Sequence, residues 1–401
     1  MSAGTPGRVE FVALMAMLVA TVAFSIDAML PALPRIGQEL TPDAVNRAQL
    51  IVTSFILGLG VGTFFTGPLS DSFGRKRVIL WGAAVYMSGA ALAAAAPTLE
   101  LVIAARILQG LGAATARVVP LAIIRDLYSG REMARIVSFV MMVFTLVPAV
   151  APLIGSGIIA LTGWRGIFAS FLVFATITSV WLILRLAEPL PPEARRPFRA
   201  AALMEALRAV LAPPVVRIAI AVQTLCLTTL FSSISSIQQL FEVTFDRADQ
   251  FPLWFFMMAI CAGTGSLLNA SLVMRLGMRR MISATLGLQI GFTALVLTLF
   301  LIGLPDGLRF PVYLVWQTTI FFQAALTLGN INALAMEPLG HVAGMAASVI
   351  GALATVGSVI LTVPVGLAFD GTPLPLLAGV LVAVCVARFL MTWLQRAEEY
   401  T

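Results

Sequence analysis

The chain carries runs of apolar residues that outlast the thickness of a lipid bilayer. A helix rises about 1.5 Å per residue, so crossing a hydrocarbon core of ~30 Å takes about 20 apolar residues. Phe11 to Ala32 and Ile136 to Thr162 both exceed that length. Only 11% of the residues carry a formal charge, against 60% that are apolar. A soluble globular chain holds about a quarter charged residues, and no water-soluble fold hides this much hydrocarbon. The bilayer is the solvent for which the sequence is written.

Reading the apolar runs between charged or Pro/Gly-rich breaks gives twelve predicted helical spans. They lie at roughly 10–33, 47–70, 77–97, 100–124, 134–161, 165–186, 214–237, 251–273, 280–303, 310–334, 343–367 and 374–396. The first run is too long for a secretory signal and lacks a basic head and a small-residue cleavage site, so it is expected to stay as a helix. Of the 25 Lys and Arg residues, 18 fall on the side of the termini, among them Arg75, Lys76, Arg77, Arg195, Arg196 and Arg199. Five fall on the other side: Arg35, Arg47, Arg165, Arg247 and Arg309. Basic residues concentrate on the cytoplasmic side of membrane proteins, which predicts cytoplasmic termini in an inner membrane. The same rule accounts for the net charge of +6 without nucleic acid. Cys226, Cys261 and Cys385 all fall inside spans, where a thiol behaves as a small hydrophobe, so neither a disulfide nor a metal is expected.

Between the sixth and seventh spans the chain turns polar and Pro-rich, with a short amphipathic stretch around Phe198 to Val210. This linker predicts an N-terminal six-helix bundle over 1–187, a cytoplasmic linker over 188–212 and a C-terminal bundle over 213–401. The halves echo each other. Gly74, Arg75, Lys76 and Arg77 after the second span recur as Gly277, Met278, Arg279 and Arg280 after the eighth, 203 residues on. Repeated bundles of this kind build many secondary transporters, with the substrate site between the repeats.

The turn between the second and third spans reads Gly67-Pro68-Leu69-Ser70-Asp71-Ser72-Phe73-Gly74-Arg75-Lys76-Arg77. It resembles the cytoplasmic signature of the major facilitator superfamily, Gly-x-Leu-x-Asp-Arg-x-Gly-Arg-Arg/Lys. That resemblance implies a twelve-helix fold of two pseudo-symmetric six-helix bundles. Gly67 lets helices approach, Gly74 permits a tight turn, and Asp71 can sit at a helix N-terminus, contacts suited to holding one of two conformations. At Ser72 the signature usually has Arg; Arg75 can take its place, with Asp126 as partner. The plain alternative is a basic loop that merely obeys topology.

The fourth span opens with Arg106-Ile107-Leu108-Gln109-Gly110, similar to the family's Arg-x-x-Gln-Gly pattern, whose Arg is associated with proton coupling. An arginine inside a membrane is costly and needs a partner. Asp27 is expected to be that partner, because both residues lie about six residues from the outer ends of their spans, ~9 Å deep. Burial favours the neutral acid and a nearby Arg favours the carboxylate. A carboxyl so balanced can exchange a proton for substrate, or the pair can be a fixed structural bridge. Arg117 follows Arg106 by eleven residues, about three turns, so Arg106, Gln109 and Arg117 share a face that is expected to line a wet cavity. Arg117 can equally reach the inner interface by extending its stem.

Arg125-Asp126-Leu127-Tyr128, Leu30-Pro31-Ala32-Leu33-Pro34 and the fifth-span segment Pro148-Ala149-Val150-Ala151-Pro152-Leu153-Ile154-Gly155 are similar to the Bcr/CflA drug-efflux branch of the superfamily. The resemblance implies a drug:proton antiporter, with Pro148, Pro152 and Gly155 at a gate, since Pro and Gly give kinks and close packing. In the second half, amides such as Gln238 and Gln323 beside many Phe and Met suit a roomy pocket for amphipathic molecules. Helix–helix hydrogen bonds are the plainer role for each. The expected function is proton-driven export of drug-like compounds by a single chain without a cofactor, its partners being substrate, protons and the bilayer. A proton entering down about 100 mV supplies ~2.3 kcal/mol. The alternatives are a symporter importing a metabolite and an uncoupled sensor of the same fold. An enzyme is not expected, because no nucleophile–base set or metal-ligand set lies within the spans.

Overall fold

The computed structural model describes residues 6–195 and 197–399; Arg196, counted among the basic residues above, lies outside them. The chain forms α1 (Arg8–Asp27), α2 (Leu33–Leu40), α3 (Leu50–Phe73), α4 (Arg75–Ala95), α5 (Leu99–Leu127), α6 (Gly130–Thr162) and α7 (Arg165–Arg185). It continues through α8 (Ala200–Leu211), α9 (Pro214–Gln239), α10 (Phe251–Leu276), α11 (Met278–Ile302), α12 (Asp306–Met336), α13 (Ala343–Leu367) and α14 (Leu374–Glu399). Twelve helical runs among the described residues are long and apolar enough to cross a membrane. The amphipathic stretch expected in the linker is the helix α8.

Local chemistry sets the breaks. Pro31 and Pro34 cannot donate to an α-helical ladder, so α1 ends at Asp27 and the chain takes a 3₁₀ turn at Leu30–Ala32 before α2 starts with Pro34 in its first turn. The first predicted span therefore runs on as a broken helix to Leu40. The turn glycines Gly74 and Gly277 stand before α4 and α11 with φ of 100° and 79°, a region that side chains with a Cβ avoid. The echo between the halves is thus a shared backbone conformation as well as shared letters.

Two compact units result, Met1–Pro42 with Ser54–Glu205, and Asp43–Thr53 with Ala206–Thr401. The division falls inside α8, and residues 43–53 go with the later helices. The reason is local: Asn46 Nδ2 donates to Leu367 O at 3.1 Å, and the Gln49 side chain lies on Gly366, leaving no room there for a Cβ.

In the first unit α4 runs along α5, α1 packs against α6, α5 and α7, and α4 also meets α7. Leu14 and Leu18 of α1, Ile79 of α4, Ile123 of α5, Val140 of α6 and Leu182 of α7 form a buried core. Lipid tails are as apolar as leucine, so close packing rather than the hydrophobic effect joins such helices. Gly110 and Gly112 show how. Two residues apart, they look to opposite sides of α5. A Cβ on Gly110 would run into the carbonyl of Phe55 on α3, and one on Gly112 into Gly82 O and Tyr86 N on α4.

In the second unit α9 is central, touching α12, α13 and α14, while α11 packs on α12 and α14 and α10 packs on α12. Side-chain hydrogen bonds pin these contacts. Gln323 Nε2 donates to Thr229 Oγ1 at 3.2 Å, Trp316 Nε1 to Thr293 Oγ1 at 3.0 Å, and Asn330 Nδ2 to Asn269 Oδ1 at 2.7 Å.

Candidate functional site

Arg106 enters the first unit fully buried on α5. One Nη donates to Gln109 Oε1 at 2.6 Å and the other to the backbone carbonyl of Ser25 at 3.0 Å, while the guanidinium lies over the Phe55 ring, 4.3 Å from its centroid. Ser25 is on the last turn of α1, whose final carbonyls lack helical partners and gather partial negative charge. A buried cation is stabilised there by a helix end, a polar amide and an aromatic face. The Ser25 hydroxyl donates to Thr21 O at 2.6 Å and stands 2.6 Å from the Tyr86 hydroxyl. Its one hydrogen is committed to Thr21, so Tyr86 is the donor.

The expected pairing of Arg106 with Asp27 is not what the structure contains. Asp27 is 4% exposed at the end of α1, and among the described residues no hydrogen bond or ion pair reaches its carboxylate. The physical reason is azimuth. Residues two apart on a helix point about 200° from each other, so with Ser25 turned to Tyr86 of α4, Asp27 turns away. Equal depth does not imply a shared side. Across from this helix end stands α6, where a Cβ on Gly155 would collide with the backbone of Ala28. Gly155, read as a gate residue, thus abuts the residue that follows Asp27. Pro148 and Pro152 lie within α6, which runs without a break from Gly130 to Thr162.

The expected wet face of α5 is sealed over most of its length. Arg106, Gln109 and Ala113 are buried and Arg117 is half-buried, with no hydrogen bond or ion pair to Arg117 among the described residues. Gln109 is taken up by Arg106 because an unsatisfied guanidinium in hydrocarbon is the costlier vacancy. In the second unit Gln323 is buried and tied to Thr229, but among the described residues its Oε1 has no partner, and neither has the Oε1 of buried Gln238.

The residues expected from sequence to form a gate at the α3–α4 turn do come together with Asp126 of α5. Arg75 Nε donates to Asp126 Oδ2 at 2.7 Å, and its Nη1 donates to Ser70 Oγ at 2.7 Å and to Asp71 Oδ1. Arg75 thereby fills the place left by Ser72, which instead bonds Pro68 O at 2.9 Å. Gly67 contributes its carbonyl to Ser70 Oγ at 2.9 Å. Glu188, read from sequence as the start of a linker, folds back onto this cluster. Its carboxylate accepts the first backbone N–H groups of α4, from Arg75 at 2.7 Å and Lys76 at 3.1 Å. The Lys76 ammonium donates to the terminal carbonyls of α7, Ile183 O at 2.9 Å and Leu186 O at 2.6 Å. Free N–H groups at a helix start favour an anion and free carbonyls at a helix end favour a cation, so Glu188 and Lys76 fasten α4 to α7.

The Major Facilitator Superfamily pattern matches residues 14–362. The chain belongs to that superfamily. With its twelve apolar helical runs among the described residues it is a multi-pass membrane protein. Among curated proteins it is 33% identical over 192 residues to the uncharacterized MFS-type transporter YdgK of Bacillus subtilis, covering 47% of this chain and 48% of that one. It is 35% identical over 148 residues to a chloramphenicol resistance protein of Pseudomonas aeruginosa, covering 37% of this chain and 35% of that one. These matches span about half or less of the relatives' length. A longer one, at 26% identity, joins 93% of this chain to 92% of the multidrug resistance protein MdtL of Klebsiella pneumoniae. Among solved structures, a D-xylose-proton symporter superimposes with a TM-score of 0.74 at 16% identity, covering 95% of this chain and 97% of that one. Human organic anion transporter MFSD10 does so at 0.67 and 17%, covering 96% and 100%. At these identities the superpositions speak for the fold alone.

Proposed function

We propose that this transporter exports small drug-like molecules in exchange for protons, with Asp27 as the group that carries the proton. The observation behind this reading is the setting of Asp27: a carboxyl buried at the end of a broken membrane helix, with no ion pair among the described residues to be broken when its protonation changes. An ionisable group within a membrane span is a functional site by default because its burial costs so much. Arg106 then acts through position. By holding the Ser25 carbonyl it fixes the last turn of α1 and with it the place of Asp27. The resistance proteins among the relatives support export of drugs, and the excess of basic residues on the side of the termini supports an inner-membrane location with both termini cytoplasmic. Arg117 in the first unit and Gln238 and Gln323 in the second are the side chains assigned to substrate; unpartnered amide oxygens suit a substrate that brings hydrogen-bond donors. The cluster of Asp71, Arg75 and Asp126, with Glu188, is assigned to gating, together with the Pro148–Gly155 segment.

The test is proton movement in proteoliposomes carrying an internal pH dye, with cationic, neutral and zwitterionic drugs added in turn. Drug-dependent proton flux opposite to drug movement supports the antiporter. Flux in the same direction would make the protein an importer, and no coupled flux would remove the role given to Asp27.

A further inference from the structure

Ser25 is held on two sides, by two helices packed backbone to backbone. α4 runs along α5, and glycines bring them together: a Cβ on Gly82 would meet the Thr115 side chain, and one on Gly89 would run into Ala105 O and Gln109 N. Gly82, Tyr86 and Gly89 lie at i, i+4 and i+7, on one stripe of α4. Tyr86 is the large side chain on that stripe between the two glycines, and it is buried. Its hydroxyl stands 2.6 Å from Ser25 Oγ on α1, while Arg106, from the facing stretch of α5, donates to Ser25 O at 3.0 Å.

The two bonds restrain different coordinates. Backbone carbonyls of a helix point along its axis, so the Arg106 bond holds the end of α1 in depth and leaves rotation about the axis unset. A side chain stands out from the axis, and the bond from Tyr86 to Ser25 Oγ supplies the second restraint. Ser25 does not need that bond for its own hydrogen, which goes to Thr21 O at 2.6 Å inside the same helix. Tyr86 does need it, because a buried hydroxyl without a partner is costly, whereas a phenylalanine of the same shape would need none. What the hydroxyl adds over a bare ring is thus a hold on the turn that ends in Asp27. Ser25 and Asp27 point about 200° apart, so any rotation at Ser25 swings Asp27 by the same angle.

We propose that Tyr86 is a positioning residue for proton exchange at Asp27, fixing the rotation of the last turn of α1 through Ser25. This rests on the reading of Asp27 as the proton carrier. Tyr86 itself takes up no proton and touches no substrate. Without its hydroxyl, Asp27 swings with the end of α1, and part of the drug turnover proceeds with no proton exchanged.

The test is the number of protons moved per drug molecule in proteoliposomes carrying an internal pH dye. The probe is the first drug of the cationic, neutral and zwitterionic panel that drives proton flux in the wild-type protein, isotopically labelled. A variant that merely folds less well lowers proton and drug flux in step, so the ratio reports position rather than yield. Tyr86→Phe keeps the ring and is expected to lose about tenfold in coupled proton flux, a scale on which misplaced groups are felt, while drug flux falls much less. Ser25→Ala removes the same bond from the other end and should lower the ratio as far. It also strands the phenol, so its thermal midpoint should fall below that of Tyr86→Phe. Adding Tyr86→Phe to Ser25→Ala should raise the midpoint again and leave the ratio low. A wild-type ratio in either single variant overturns the proposal while the antiporter reading stands. A ratio that recovers together with the midpoint in the double variant overturns it too, since the bond would then serve stability alone. No coupled flux in the wild-type protein removes the role of Asp27, and the proposal with it.

Discussion

The guanidinium of Arg106 donates to the backbone carbonyl of Ser25 at 3.0 Å, so a side chain of α5 closes the last turn of α1. Shape as well as charge does this, since the same planar group meets Gln109 and lies over the Phe55 ring. A lysine keeps the charge but offers a compact ammonium that cannot serve both acceptors and cover the ring. Arg106→Lys is therefore expected to leave a buried acceptor unsatisfied, costing about 1–3 kcal/mol, and to abolish export. Thermal unfolding in detergent and drug efflux check this. A lysine variant with wild-type stability and transport would mean that charge alone matters, as in a simple ion pair.

Asp27→Asn makes the opposite demand. The substitution keeps the shape, and no hydrogen bond or ion pair of the carboxylate is lost among the described residues. Stability should change by no more than about 1 kcal/mol. Proton flux driven by substrate should vanish, while exchange of labelled for unlabelled substrate, which needs no net proton movement, should persist. Substrate-driven proton flux at the wild-type rate in the asparagine variant would end the case for Asp27 as carrier.

The cluster on the α3–α4 turn predicts an order of effects. Asp126 and Asp71 both hold Arg75, but their side chains are 21% and 45% exposed. Solvent screens the more open pair, so Asp126→Asn should lower stability and export more than Asp71→Asn. Because they share one partner, the double variant should fall short of the sum. Thermal midpoints of the three variants decide the matter, and either a reversed order or strict additivity would count against a single cluster centred on Arg75.

Glu188→Gln probes the fastening of α4 to α7. The carboxylate takes two N–H groups of a helix start with its two oxygens, whereas an amide has one oxygen and turns a donor toward a donor. A loss of about 1 kcal/mol is expected, in the range of a removed N-terminal cap. The measurement is again the thermal midpoint, with Glu188→Asp as a shorter carboxylate; an unchanged midpoint in Glu188→Gln would show that the bonds contribute nothing net.

Spans, the linker helix and the meeting of Arg75 with Asp126 were legible because their signals are local: length of apolar run, amphipathic spacing, and a motif whose members lie at helix ends. The Arg106 site was half legible. Depth along a helix can be counted from sequence, but azimuth depends on how neighbouring helices pack, and that rests on contacts such as Gly110 against Phe55. The group on α1 that Arg106 does reach is a backbone carbonyl, which every residue has and no letter announces. Glu188 was missed for a different reason. A polar, Pro-rich stretch reads as linker, and only the free N–H groups of α4, far away in sequence, give its carboxylate a purpose. The signal that could have found it is the unsatisfied start of a helix opened by Gly74, with no capping side chain of its own.

Gly155 ties the Pro148–Gly155 segment of α6 to the turn that follows Asp27 through bulk alone. A Cβ there would stand against the backbone of Ala28, the residue after Asp27, and backbone cannot swing aside as a flexible side chain can. Gly155→Ala should therefore push α6 and the end of α1 apart, at a cost of about 1–3 kcal/mol for overpacking. Export should suffer more than stability, because the displaced element carries Asp27. Gly157, two residues on, meets nothing within 4 Å, so Gly157→Ala serves as the matched control and should be nearly neutral, or slightly stabilising through helix propensity. Efflux and thermal midpoints of the two variants are compared directly. Equal behaviour of Gly155→Ala and Gly157→Ala would show that the contact with Ala28 is not what couples the α6 segment to Asp27.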